Sequence, residues 1–350
     1  MHPDDLMTPK ERMAALANGR PADRYPVMPL VGSVSAGFAG LTQRERGRSA
    51  QNKALSLIRT YERLGHDSVS VRYGLHGLGL ALGSRLSDPE DSVPSVLEHV
   101  LKDLDKLEDL DFSPAEPRRD RTLQMKLEAA EMVRDKIGHE VGVGFSLTGP
   151  LTSACSVFQV EYLLRAFRKN PERLHRLLRL CTEALKDVAL ECFRRELGLS
   201  LADPIASGTV IRKEQYVEFV KPYSKEIIDL AHKHGRKVSY HICGQTMGIL
   251  EDMLEAGADF ISLDNVVDLE KAKGVLGGKV CILGNVDPVK VLMQGSRQEV
   301  EEAVKANYQT MSDNLQGYIL SSGCDIPAGT PLENMDAFMA AARRYGRLGV

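Results

Sequence analysis

Eight short runs rich in Val, Ile, Leu, Tyr and Phe recur along the chain, and the stretches between them follow a different period. The runs fall at residues 24–30 (RYPVMPL), 67–71 (DSVSV), 141–147 (VGVGFSL), 197–201 (LGLSL), 237–242 (KVSYHI), 260–263 (FISL), 279–283 (KVCIL) and 318–321 (YILS). Between them apolar residues return at steps of three and four. Over residues 215–232, Tyr216, Phe219, Val220, Tyr223, Ile227, Leu230 and Ala231 would line one helical face. Strand then helix, eight times over, predicts an α/β fold, the (β/α)8 TIM barrel. Thr8-Pro9-Lys10-Glu11 and Thr330-Pro331-Leu332-Glu333 each offer an N-cap Thr, a Pro at the first helical position and a Glu at the third. Helices should begin at both, the first as an N-terminal extension. Residues 72–140 are too many for one helix and include GLHGLGLALG at 74–83. They predict a long insertion after the second strand, above the barrel mouth, with the glycine-rich piece as a surface loop.

At 350 residues and 43% hydrophobic, the chain can bury the core of one large barrel. With no repeat, low-complexity tract or Pro- or Ser-rich linker to divide it, residues 1–350 are expected to form a single domain. A net charge of -3, with both signs interspersed, excludes the electrostatic footprint of a nucleic-acid binder. No apolar run approaches the roughly 20 residues of a membrane span, and no signal-peptide pattern opens the sequence. A cytoplasmic protein is therefore expected. Its six cysteines lie far apart, which predicts reduced thiols, some of them free to bind metal.

The fifth apolar run ends in His241-Ile242-Cys243. Alternate strand residues share a face, so His241 and Cys243 should converge at the end of this strand. Cys324 follows the eighth strand, and active sites form at this end of a TIM barrel. Two thiolates and an imidazole suit zinc. Asp264, at the end of the sixth strand, is a candidate fourth ligand that a substrate could displace. His-x-Cys alone is weak, since nine His and six Cys give roughly 0.15 such pairs by chance; position at a strand end is what strengthens it. Cys281, inside KVCIL, and Cys155, Cys181 and Cys192, in helical or pre-helical stretches, read as core thiols. Gly77, Gly79 and Gly83 lack the strand-turn-helix frame of a dinucleotide loop.

Further segments carry a family resemblance: SLTGP at 146–150, ADP at 202–204, YVEFVKPY at 216–223, HICG at 241–244, GNVD at 284–287 and GTPLEN at 329–334. In these the chain resembles the uroporphyrinogen decarboxylase-like barrels, a superfamily whose zinc-dependent corrinoid methyltransferase branch includes methylcobamide:coenzyme M methyltransferases. The branch's zinc pattern, His-x-Cys and a distant Cys, maps onto His241, Cys243 and Cys324. The decarboxylase branch carries an Arg-rich signature after its first strand, where this chain has VGSVSAGFAG at 31–40. That segment lacks the arginines to clamp a multiply charged porphyrinogen.

The resemblance implies a methyltransferase in which His241, Cys243 and Cys324 hold Zn2+ and a thiol such as coenzyme M is activated on it. The methyl group would come from methylcobalamin, or pass in reverse from a methylated substrate to cob(I)alamin. A corrinoid protein partner is expected, because the Asp-x-His-x-x-Gly cobalamin motif is absent: Gly74 stands where the Asp before His76 would be. Ser146, Asp203, Asn285 and Asp287 are candidate pocket contacts, although Asp287 before Pro288 also fits a helix cap and Asp203 before Pro204 a turn. The competing expectation is a metal-free tetrapyrrole decarboxylase. A homodimer is the default assembly.

Overall fold

The structure, a computed structural model, describes residues 2–314 and 316–348. After the helix Pro9–Ala17, an extended segment and the helix Ala50–Leu64 lead to strand β1 (Ser68–Arg72). A hairpin of β2 (Arg85–Leu86) and β3 (Val96–Glu98) lies in the insertion, followed by β4 (Gly142–Thr148) and β5 (Gly198–Ala202). The chain continues through β6 (Val238–Ile242), β7 (Phe260–Leu263), β8 (Cys281–Val286) and β9 (Tyr318–Ser322). β1 and β4 to β9 pair in chain order as a seven-stranded parallel sheet with helices between the strands, a TIM-barrel architecture.

The eighth place is taken by the expected first run, but not as a regular strand. Met28 N–H donates to Leu320 O (2.8 Å), Leu320 N–H to Pro26 O (3.0 Å) and Asp67 N–H to Val27 O (2.7 Å), so the segment bridges β9 and the start of β1. Pro26 and Pro29 have no N–H to donate, and Val27 N–H goes to the Asp67 carboxylate (2.7 Å) instead of a strand neighbour. That is why the ladder is reduced to isolated bridges.

Other expectations shift for equally local reasons. The helix expected over 215–232 is two, Lys213–Phe219 and Lys221–Lys233, broken at Val220 because Pro222 cannot donate to the preceding turn. The capping box at Thr8 forms in full, whereas the last helix, Leu332–Tyr345, starts after Pro331, and the buried Thr330 hydroxyl caps nothing. The glycine-rich piece is not a surface loop. Gly77–Leu82 is a helix with Gly77, Leu78, Gly79 and Leu82 buried, and Gly79 lies so close to the Ser156 carbonyl that no Cβ would fit. It packs on the helix Pro150–Val157.

At the N-terminal end of the barrel Arg12, fully buried, bridges Asp23 (2.7 Å) and Asp67, while Arg24 pairs with Asp67 (2.6 Å) and Asp5 (2.9 Å). These pairs tie the N-terminal extension and the segment around Val27 to β1.

Two side-chain rows alternate along the strands. Val69, Val71, Phe145, Leu147, Leu199, Leu201, Tyr240 and Ile242 are buried in the main core with residues of the surrounding helices. In β1 and β4 to β6 the other row, facing the barrel axis, is small: Ser70, Gly144, Ser146, Ser200, Ala202 and Ser239; in β7 to β9 the same row carries Phe260, Leu283 and Ile319, which cluster with Met13, Leu16 and Met28. TIM barrels usually fill this row with bulky branched residues. Here the β1 and β4 to β6 half stays partly exposed, and with it Arg72 and His241 at the strand ends.

Candidate metal centre

His241 is the fourth residue of β6 and occupies the inner row; Cys243 follows just beyond the strand. Gly244 then turns the chain with φ +72°, where an added Cβ would meet the hydroxyls of Ser207 and Thr209. Its N–H donates to Asp264 Oδ2 at 2.7 Å. Cys324 comes from the turn after β9, which is fixed on both sides: Gly323 N–H donates to Val286 O (2.8 Å), and Asp325 accepts from Ser33 Oγ (2.5 Å) and pairs with Arg72 (2.9 Å).

The ligand atoms of His241, Cys243 and Cys324 all lie within 4.8 Å of one another, the one such group among the described residues. His241 Nε2 is 3.3 Å from Cys243 Sγ, and the two sulfur atoms are 3.6 Å apart. Tetrahedral zinc with bonds of about 2.3 Å to sulfur and 2.0–2.1 Å to nitrogen would have edges of about 3.8 Å and 3.6 Å. The donor set therefore fits zinc in chemistry, and these two edges lie close to its spacing. Cys324 is held below the usual thiol range, first by the hydrogen bond from Cys243 and then by His241. Cys243 is pushed up by the same hydrogen bond and by burial. One thiolate is thus already favoured in the pair, and binding a cation would displace the other proton.

Asp264 is not in the three-residue group. Its Oδ2 accepts Gly244 N–H and its Oδ1 accepts Val266 N–H (3.2 Å), so both oxygens hold backbone. Asp203, fully buried, accepts from Leu151 N–H (3.2 Å) and from Thr152 N–H (2.8 Å) and Oγ1 (2.5 Å). It thereby caps the helix after β4, and burial pushes its carboxyl up to about 6. Asn285 Nδ2 donates to the carbonyls of Asp264 (3.0 Å) and Val267 (2.8 Å). Asp287 caps the turn that follows it through Val289 N–H and Lys290 N–H, and accepts from Asn265. Ser146 stands in the inner row of β4, level with Arg72.

Three residues near this centre escaped the sequence reading. Ser262 Oγ is 3.1 Å from His241 Nδ1, which leaves Nε2 to face the sulfur atoms; the signal was a polar residue two before Asp264 on one strand. Arg72 and Asp325, which anchor the Cys324 turn, carried no motif. Cys181, Cys192 and Cys281 are buried, all six cysteines are free, and burial pushes the Cys281 thiol up to about 12.

The uroporphyrinogen decarboxylase (URO-D) family model matches residues 8–345, and the chain belongs to that family. The methylcobamide:CoM methyltransferase MtbA of Methanosarcina acetivorans is 28% identical over 351 residues, covering 97% of this chain and 98% of its own. A solved methyltransferase structure from Methanosarcina mazei superposes with a TM-score of 0.87 at 26% identity, over 97% of this chain and 99% of that one. The uroporphyrinogen decarboxylase of Prochlorococcus marinus is 25% identical over 274 residues, 73% of each chain. Within the family, the chain stands with the methyltransferases, and it is an enzyme of that class. No helix among the described residues is long and apolar enough to cross a membrane.

Proposed function

From this family membership, we propose that the chain is a zinc-dependent methyltransferase moving a methyl group between a corrinoid on a partner protein and a thiol such as coenzyme M, or in reverse from a methylated substrate to cob(I)alamin. The observation that carries the reading is the meeting of His241, Cys243 and Cys324 within 4.8 Å at the C-terminal ends of the barrel strands. These three would hold zinc, which supplies the charge that lowers a substrate thiol's pKa and keeps its sulfur nucleophilic near neutral pH.

The chain's own residues do the rest. Ser262 orients His241, Asp264 holds the backbone beside Cys243, and Arg72 with Ser33 holds the turn of Cys324 through Asp325. Methyl transfer is an in-line displacement, so the protein must hold the donor carbon over the sulfur. The small inner row of β1 and β4 to β6 leaves space for that approach, with Ser146 as a pocket contact. The corrinoid arrives on a partner docked at the mouth, since this sequence has no cobalamin motif. Six free cysteines suit a reducing cytoplasm.

The test is zinc per chain after reconstitution, together with methylcobalamin-dependent methylation of coenzyme M. The wild type should bind one equivalent and methylate the thiol; His241→Ala and Cys324→Ala should lose both. Full activity in Cys324→Ala would overturn the proposal.

A further inference from the structure

Lys53 belongs to the helix Ala50–Leu64 and is 7% exposed, yet among the described residues its ammonium has no hydrogen bond or ion pair. An isolated buried cation is costly unless something compensates it. Its neighbours do not: the charges that bear on it are Arg46, Lys126 and Arg72, all positive. Arg46 donates only to Ser56 Oγ (3.1 Å), and Lys126 donates to the Tyr73 carbonyl just beyond β1. Among the described residues, Arg72 alone of the four has an ion pair, with Asp325 (2.9 Å). The carboxylates in reach are Asp325, and Asp120 beside Lys126, which is itself committed to Tyr73 Oη (3.1 Å) and Leu123 N–H (2.9 Å). Four cations therefore face two carboxylates.

The location is set by topology. The helix Ala50–Leu64 precedes β1 and runs antiparallel to it, so its N-terminal turn, with Lys53, lies at the C-terminal end of the strand, beside Arg72. The helix dipole adds positive potential there. Gly32 leaves room for the guanidinium of Arg72, which would collide with any Cβ at that position. Arg72 is also the cation whose field reaches the Cys243 sulfur, so the cluster and the candidate metal centre are neighbours.

We propose that Lys53, Arg72, Arg46 and Lys126 form the subsite for the anionic end of the thiol substrate, a small oxyanion such as a sulfonate or carboxylate. The inference rests on the thiol-methyltransferase reading for the word substrate; the anion site itself stands on the four cations. Burial and mutual repulsion support it, holding the Lys53 ammonium well below its usual range, while burial brings Lys126 to about 8 and Arg46 to about 10. An entering anion supplies the counter-charge that the fold withholds.

The experiment uses probes without a thiol on the full-length protein, with and without zinc. Ethanesulfonate, propionate and the neutral ethyl methyl sulfone are titrated by calorimetry, and melting is followed in parallel. One or both anions should bind and raise the melting temperature while the sulfone does neither; the tighter anion identifies the tail. Lys53→Met and Arg46→Gln should each weaken anion binding about tenfold or more, the scale of one lost charged hydrogen bond, with zinc per chain unchanged. Without anion, Lys53→Met should melt above the wild type, because a buried unpaired cation has been removed. Equal binding of sulfone and anions, or anion affinity within about twofold of wild type in both variants, would overturn the subsite. Anion binding that persists in a protein taking up no zinc would sink the metal reading and leave the subsite intact.

Discussion

Replacing Asp264 with Ala tests how the centre is held together. The carboxylate is 7% exposed and makes two bonds, one of 2.7 Å to Gly244 N–H and one of 3.2 Å to Val266 N–H. The second is local, two residues along the chain; only the first reaches across from the end of β7 to the residue after Cys243. A hydrogen bond to a charged group contributes about 1.5–3 kcal/mol. If all of that holds Cys243 in its binding position, its loss lowers metal affinity by about 10- to 100-fold, the range typical of groups that orient ligands. The assay is competition for zinc against a chromophoric chelator, with zinc-edge absorption on the same samples. Affinity within about twofold of wild type would refute the reasoning. Loss of an oxygen neighbour from the zinc spectrum in the variant would show that Asp264 binds the metal directly, and the backbone bonds would then be secondary.

Two predictions concern stability. Arg12→Ala strips one oxygen of Asp67 and both oxygens of Asp23 of their buried partner, and should cost about 3–5 kcal/mol in urea unfolding; a change below about 1 kcal/mol would mean the pairs are not coupled to the barrel. Asp203 should make stability fall with rising pH. Burial raises its carboxyl from the ordinary 3.8 to about 6, so between those values the folded chain binds a proton that the unfolded chain has released. The loss is about 3 kcal/mol across that window and levels off above it. Unfolding of metal-free wild type and Asp203→Asn at pH 4.5 and 7 measures it, and parallel pH dependence in the two proteins would contradict it.

Much of this fold was legible because each strand carries a buried row that must be apolar. Val69 and Val71, or Tyr240 and Ile242, mark their strands whatever the inner row does. The irregular segment around Val27 was legible as extended but not as broken, although Pro26 and Pro29 were the sign. The break at Val220 was likewise written in Pro222 and overridden by a continuous apolar stripe. In the candidate site, His241 and Cys243 could be read together because alternation fixes their common face, and Cys324 joined them through the order of the barrel strands. Asp264 was found without its partners, since a backbone amide such as that of Gly244 leaves no mark in a sequence.

Lys53 was legible in principle and for the same reason easy to miss. In the helix Ala50–Leu64 it shares the buried stripe of Ala50, Ala54, Leu57, Tyr61 and Leu64, where a charged residue contradicts the pattern. Such contradictions persist where function maintains them. The chemistry of the mouth gives this one a use. On the proposed reading, zinc held by two thiolates and a neutral imidazole would carry no net charge, so a substrate thiolate would leave the site negative, and an anionic tail would add a second charge. Arg72 and Lys53 would offset that combined charge at short range, where screening by solvent is weakest. The cation cluster and the proposed metal set would then be two halves of one charge balance, complete only when the substrate is present.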